Sequence, residues 1–182
     1  MANKTIEVEF RSRFDIGKYE ALRSFLDKNA KDLGSDDKNV HFFILPDELL
    51  KVVDNVSHGT AKIVMKLNKI GRGSDFEEIE VVIAREDVDE TVQLFKSLNI
   101  TDKVMHSFQK RRNYLYKGVE LALKWSEIWG HHLELEMVVD DKSKQKEVES
   151  KLRAIADELG VEIMTDDELA EFTRRVEENY QG

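Results

Sequence analysis

Three separate stretches of this chain carry one signature, a pair of glutamates split by an apolar residue: Glu7-Val8-Glu9, Glu78-Ile79-Glu80 and Glu134-Leu135-Glu136. Each lies in a run that alternates with a period of two. From Thr5 to Phe14, Ile6, Val8 and Phe10 fall on one face and Glu7, Glu9, Arg11 and Arg13 on the other. Such alternation predicts a strand. Residues i and i+2 of a strand stand about 6.5–7 Å apart on the same face, so each pair repels itself unless a cation lies between its members. One such pair is an ordinary solvated sheet face. Three, on strands far apart in sequence, constrain the fold: if the strands close into a barrel, six carboxylates converge on one lumen.

The basic side chains follow the same parity. Arg11 and Arg13 share the face of Glu7 and Glu9, Lys62 and Lys66 share a face, and Lys110 and Arg112 share another, which sends Arg111 the opposite way. Buried charge without partners costs several kcal/mol per ion, so a lumen lined this way calls for a ligand. A polyanion gripped by Lys and Arg, with a hard divalent cation between phosphate and carboxylate, fits that chemistry. The bland alternatives are a mixed-charge surface and a purely structural network of salt bridges.

The rest of the chain supplies the frame. Lys18 to Leu33 takes helical spacing, with Tyr19, Leu22, Leu26 and Ala30 on one side and Gly34 where a C-cap belongs. Strands are expected at Val40–Leu45, Leu49–Val53, Ala61–Asn68 and Phe76–Ile83, with Gly71-Arg72-Gly73-Ser74 as a loop. A helix spans Asp87–Leu98, a long extended stretch runs from Lys103 to about Lys124 with a break near Lys117-Gly118, and His132–Val139 closes the strand series. Two helices follow, Lys142–Leu159 and Thr165–Tyr180; Thr165 with Glu168 makes a capping box, and Leu169, Phe172, Val176 and Tyr180 give the last helix a docking face. About eight mostly antiparallel strands with inserted and appended helices make an α+β chain. A closed barrel or a sandwich with helical cover both fit. The whole of 1–182 reads as one domain, with barrel strands over about 5–139 and helices over about 142–180.

Composition narrows the function classes. With 37 acidic and 28 basic residues the net charge is −9, which argues against a nucleic-acid-coating surface. There is no cysteine, so disulfides, thiolate catalysis and Cys-ligated metal are excluded. No apolar run approaches the roughly 20 residues that span a bilayer, and Met-Ala-Asn-Lys-Thr opens without a secretory signal. No membrane partner and a cytoplasmic location are the expectation. His131-His132 would face opposite sides of a strand and cannot share one ion, Ser57-His58-Gly59 lacks a nucleophile elbow, and Gly71-x-Gly73 is not followed by a helix. Trp125 and Trp129 read as packing.

The ordered set of motifs resembles one family. Glu7-x-Glu9-x-Arg11 resembles the N-terminal Glu-x-Glu-x-Lys of CYTH-domain proteins, the triphosphate tunnel metalloenzymes, which include class IV adenylate cyclases and thiamine triphosphatases. His41-Phe42-Phe43 is similar to the family's aromatic pair, Lys66 to its mid-barrel lysine, Glu78-x-Glu80 to its second acidic pair, and Lys110-Arg111-Arg112 to its Lys-x-Arg. Gly130 followed by Glu134-x-Glu136 resembles its closing motif. Arg11 stands where lysine is usual, Val53 and Phe76 where arginine is usual, and Lys124 where aspartate is usual.

The resemblance implies an eight-stranded antiparallel β-barrel, a triphosphate tunnel, with inserted and C-terminal helices and a Mg²⁺ or Mn²⁺ cofactor. It implies metal-dependent hydrolysis of inorganic triphosphate, thiamine triphosphate or a nucleoside triphosphate. The alternatives are cyclisation of ATP to cAMP and non-catalytic binding of nucleotide or polyphosphate. By carry-over, Glu7, Glu9 and Arg11 are catalytic. Arg11, Arg13, Lys51, Lys66, Lys110 and Arg112 bind substrate, and Glu9, Glu78, Glu80, Glu134 and Glu136 hold metal or support the ligands that do. The expected partner is a small triphosphate or nucleotide and not a nucleic acid; a homodimer is compatible, and the sequence does not select an oligomeric state.

Overall fold

The computed structural model describes residues 6–67, 75–76 and 78–180, so the Gly71–Ser74 loop and the first five residues lie outside it. The described strands are β1 (Ile6–Arg13), β2 (Lys31–Ser35), β3 (Lys38–Ile44), β4 (Leu49–Asn55), β5 (Thr60–Lys66), β6 (Asp75–Phe76), β7 (Glu78–Ile83), β8 (Val104–Tyr116), β9 (Val119–Ser126) and β10 (Gly130–Val139). They form one antiparallel sheet in the order β6-β1-β10-β9-β8-β3-β4-β5-β7, with β2 added against β8. The two ends of this path are β6 and β7, separated in the chain by residue 77 alone. The sheet therefore curls until it meets itself. Where a single strand is expected over Phe76–Ile83, the backbone divides its pairing: β6 bonds to β1 and β7 to β5. That division closes an eight-position barrel.

The helices are α1 (Ile16–Asn29), α2 (Val88–Ser97), α3 (Gln145–Leu159) and α4 (Asp166–Asn179). Helix α1 opens on Asp15, whose side chain accepts from the Lys18 N–H at 2.8 Å. It stops four residues short of the expected end. Ala30 is its extended C-cap, and the chain turns at once into β2. Gly34 is no cap: its φ of +94° sits at the register shift where β2 bulges against β8. The β8–β9 hairpin turns on Lys117 and Gly118, both at positive φ, as a two-residue turn matched to strand twist requires. Thr165 and Glu168 form the full capping box of α4, as expected.

The main apolar core lies outside the barrel, between the sheet and its helices. Val8, Phe10, Tyr114, Leu121, Leu133 and Leu135 face outward and pack against Leu22 and Leu26 of α1 and Leu152 and Ile155 of α3. A second cluster joins Phe43, Leu50 and Val52 to Val88 and Val92 of α2. Each fully buried side chain of this kind contributes about 1.5–3 kcal/mol. With the apolar parity turned outward, the opposite parity of every barrel strand is left to line the interior. Among the described residues no helix is long and apolar enough to cross a membrane.

Candidate active site

The interior is a cavity of about 320 Å³ whose lining holds six carboxylates, Glu7, Glu9, Glu78, Glu80, Glu134 and Glu136, and seven cations, Arg11, Lys38, Lys51, Lys62, Lys66, Arg111 and Lys124. All three acidic pairs thus face one lumen. The strand alternation explains it: Val8 and Leu135, the residues between the glutamates, are fully buried in the outer core.

The register of β1 against β10 sets the electrostatics. Arg11 is directly opposite Glu134, and Glu9 is directly opposite Glu136. The first is a cation facing an anion, and it is reinforced. Arg11 Nε donates to Glu134 Oε1 at 3.2 Å, Lys124 Nζ donates to both Glu134 oxygens at 3.0 Å, and Arg111 Nη1 lies 3.6 Å from Oε2. Burial opposes ionisation of Glu134, but Lys124, Arg11 and Arg111 together hold its carboxyl well below the ordinary range. This carboxylate is a fixed counter-ion. Its oxygens are committed to cations.

The Glu9–Glu136 step is the reverse. Burial, Glu134 and Glu7 raise the Glu9 carboxyl despite its contacts with Arg11 and with Lys66 at 3.7 Å. Burial pushes Glu136 up to about 8, with Glu9, Glu7 and Glu134 adding to it, against one guanidinium contact from Arg111 at 3.4 Å. On the opposite wall Lys66 is taken by Glu78 at 2.8 Å, and Lys62 by Glu80. Lys51 is not taken. Among the described residues no carboxylate stands within ion-pair distance of it, and burial, with Lys66 and Lys124 beside it, lowers its ammonium to about 7. His132 is buried in the same lining, lowered to about 3 by burial and Lys124, and hence neutral, with Nδ1 3.0 Å from the Gly130 carbonyl.

Two expected phosphate ligands are elsewhere. Lys110 and Arg112 point out of the barrel: Lys110 Nζ lies 5.8 Å from the centre of the Trp125 ring, and Arg112 forks onto Asp32 of β2. Their parity is that of Tyr114 and Tyr116, which are buried under α1 and α3. The inward residue of that triplet is Arg111. Arg13 is also displaced, lying at the barrel rim with its guanidinium 3.8 Å from the Phe172 ring and Nε donating to Trp129 O at 3.0 Å. Arg111 and Lys124, not assigned as site residues from sequence, are therefore lining cations. The signal for Arg111 was the even-numbered aromatic pair Tyr114/Tyr116, which fixes the outer face of β8. Val53 lines the cavity as an apolar residue beside Val64, while the side chain of Phe76 lies outside the description.

An oxygen-only donor set suits a hard divalent cation. Like-charged carboxylates directly opposite on neighbouring strands repel, so Glu9 and Glu136, with Glu7 one step along, gain most from such an ion. Among the described residues no three acidic or histidine groups are already gathered at ligating distances of one point.

The fold and site together are those of a closed antiparallel barrel with a lumen lined by both carboxylates and cations. The CYTH domain family matches residues 5–168, and the chain belongs to that family. No curated protein matches the sequence significantly. Among solved structures, the PH1819 protein of Pyrococcus horikoshii is 25% identical with a TM-score of 0.72, over 90% of this chain and 97% of that one. The PH1012 protein of the same organism is 22% identical with a TM-score of 0.68, over 90% and 99%. HpAC1 from Hippeastrum, described as a candidate adenylyl cyclase with a dominant triphosphatase activity, is 16% identical with a TM-score of 0.60, over 87% and 89%.

Proposed function

We propose that this chain hydrolyses a phosphoanhydride bond of a triphosphate-bearing substrate inside the barrel, with Mg²⁺ or Mn²⁺ as cofactor. The observation that carries the reading is the segregation of charge: on one wall Lys51, with no carboxylate in ion-pair distance among the described residues, and on the other Glu9 and Glu136, two carboxylates directly opposite one another. A phosphate chain answers the first and a divalent ion the second. Family membership and the triphosphatase activity named for the Hippeastrum neighbour support it.

In this reading Lys51, Lys66, Arg11 and Arg111 grip phosphate oxygens and stabilise the charge that builds on them. Glu7, Glu9 and Glu136 would hold the divalent ion, which supplies neutralisation of the phosphate oxygens when bound. Water attacks the terminal phosphorus in line, a carboxylate of the Glu7/Glu9 pair takes its proton, and the bond to the bridging oxygen breaks with its electron pair leaving on the diphosphate. Glu134, Glu78 and Glu80 act through the cations they hold. Phosphate release from inorganic triphosphate, thiamine triphosphate and ATP with Mg²⁺ or Mn²⁺, with cAMP measured in parallel, tests the reading. Release of phosphate without cAMP is expected. Formation of cAMP, or tight binding with no turnover, sinks it.

A further inference from the structure

On the outer face of the barrel, away from the charged lumen, two histidines stand directly opposite each other: His41 of β3 and His106 of β8. Their outward direction follows from alternation, because Val40 and Phe42 on β3 and Gln109 and Arg111 on β8 line the cavity. The hydrogen bonding at this step sets how close they come. Tyr180, just past α4, takes both backbone groups of His106: its hydroxyl accepts from the N–H at 2.9 Å and donates to the carbonyl at 3.2 Å. Further along the same strand pair, the Ile44 N–H donates to the Lys103 carbonyl at 3.0 Å. Steps of an antiparallel ladder alternate, so Ile44–Lys103 is a hydrogen-bonded pair and His41–His106 a narrow one without ladder bonds, where side chains approach most closely.

The two imidazole rings accordingly lie 4.6 Å apart, centre to centre, with their planes tilted by 39°. An ion bound by two imidazoles at about 2.0–2.1 Å, with an angle between square and tetrahedral, holds the ring centres about 4.5–5.2 Å apart. The observed spacing falls in that range with both strands where they are. His106 is exposed and His41 half-buried, so solvent reaches the pair. Burial lowers His41, helped by His106 and by Lys96 of α2 and opposed by Asp89 of the same helix, so its imidazole is neutral near pH 7 and keeps a lone pair for a ligand.

We propose that His41 and His106 form an outer-surface site for a late transition-metal ion, with zinc as the probe, separate from the lumen. Neutral imidazole suits zinc, copper and nickel, whereas carboxylate oxygen suits magnesium and manganese, so the two faces of the barrel select different ions. Among the described residues no third acidic or histidine group is gathered with the pair, which leaves the other coordination positions open to solvent. An ion there ties β3 to β8 at the step that Tyr180 anchors, and stabilises the folded chain by mass action.

Zinc titration of the whole protein with magnesium in excess, followed by calorimetry, thermal melts and the imidazole nitrogen resonances, tests the proposal. In wild type the His41 and His106 resonances should move together, while those of His132 in the lumen lining stay in place. His41→Gln and His106→Gln should each cut zinc affinity at least tenfold and abolish the zinc-induced rise in Tm. Both side chains face outward, so both variants should melt like wild type without metal; the wild-type resonances decide the matter even if a variant fails to fold. Zinc affinity that survives either substitution, shifts confined to His132, or no shift at the pair in submillimolar zinc overturns the proposal.

Discussion

Two residues along β1 separate two opposite uses of a carboxylate. At the Arg11–Glu134 step, one anion is clamped by three cations and its charge is fixed. At the Glu9–Glu136 step, the facing residues carry the same sign, and Glu136 is driven up to about 8. Backbone, register and burial are nearly the same at both. The difference shows that a charged lumen is not uniform: part of it is architecture that happens to be ionic, and part is an incomplete set awaiting ligands. Buried pairs that are complete add little net stability but are costly to break, whereas incomplete sets lower stability until something binds.

The largest effect should come from breaking the complete set. Glu134→Gln leaves Arg11, Arg111 and Lys124 without their shared anion, and we expect a loss of about 3–5 kcal/mol, read as a lower Tm or urea midpoint. Glu136→Gln should do the opposite at pH 8. Its folded pKa is raised, so its stabilising protonated form is present below the ordinary carboxylate value and is lost as pH rises through about 8. Removing the charge there should raise stability by on the order of 1–3 kcal/mol while weakening Mn²⁺ binding, measured by titration calorimetry, by at least tenfold. If Glu134→Gln melted like wild type and Glu136→Gln unfolded, the comparison would be reversed.

Lys51 sharpens the same contrast on the other wall. Lys66 already has Glu78, so its loss costs stability and binding together; Lys51 has no such partner among the described residues. Lys51→Ala should therefore leave stability unchanged or improved, because an unpaired buried ammonium is removed. Triphosphate affinity should fall by about 10–100-fold, the worth of a charged hydrogen bond of about 1.5–3 kcal/mol. A melt in which Lys51→Ala loses stability but still shifts fully with triphosphate would contradict this.

The same lysine sets a pH dependence. Its folded value of about 7 is depressed from the ordinary 10.5, so the free protein disfavours its charged form below that pH and is relieved as pH rises. A bound phosphate needs the charged form. Triphosphate affinity, measured without divalent ion and in a Glu136→Gln background so that the carboxylate near 8 does not add its own repulsion, should weaken up to tenfold per unit above pH 7. Lys51→Arg, charged throughout, should flatten the profile. A profile unchanged by that substitution would assign the titration to another group.

Much of this was legible in the sequence, because alternation in β1 and β10 writes inside and outside in alternate letters. Val8, Phe10, Leu133 and Leu135 go to the outer core and their neighbours to the lumen. What failed to read was β8, where Gln109 to Asn113 is polar at every position and so carries no parity of its own. In this stretch Lys110 and Arg112 stand at the outer surface, Arg112 paired with Asp32 of β2, while Arg111 meets the carboxylates of the lumen, so both faces carry charge. The end of α1 failed for a different reason: Asp32 to Ser35 gains more by pairing with β8 than by extending the helix, and no local propensity reports a partner 80 residues away. The division of β6 from β7, which closes the barrel, depends on which strands meet.

The smallest effect tests the corrected parity of β8. Arg112 lies on the outer surface, over a third exposed, paired with Asp32. An exposed pair of this kind contributes about 0–1 kcal/mol, weakened by salt, so Arg112→Ala should shift the melt slightly and leave the triphosphate-induced shift intact. Arg111 lies one residue away, inside, between Glu134, Glu136 and Asp36. Arg111→Ala releases Glu136 from its one guanidinium and exposes it further to Glu9, so the ligand-induced shift should be lost even where the fold survives. Two adjacent substitutions of the same residue type then separate by face alone. A triphosphate shift abolished in Arg112→Ala and kept in Arg111→Ala would place the strand one residue out of register and turn every assignment on β8 to the other side of the barrel.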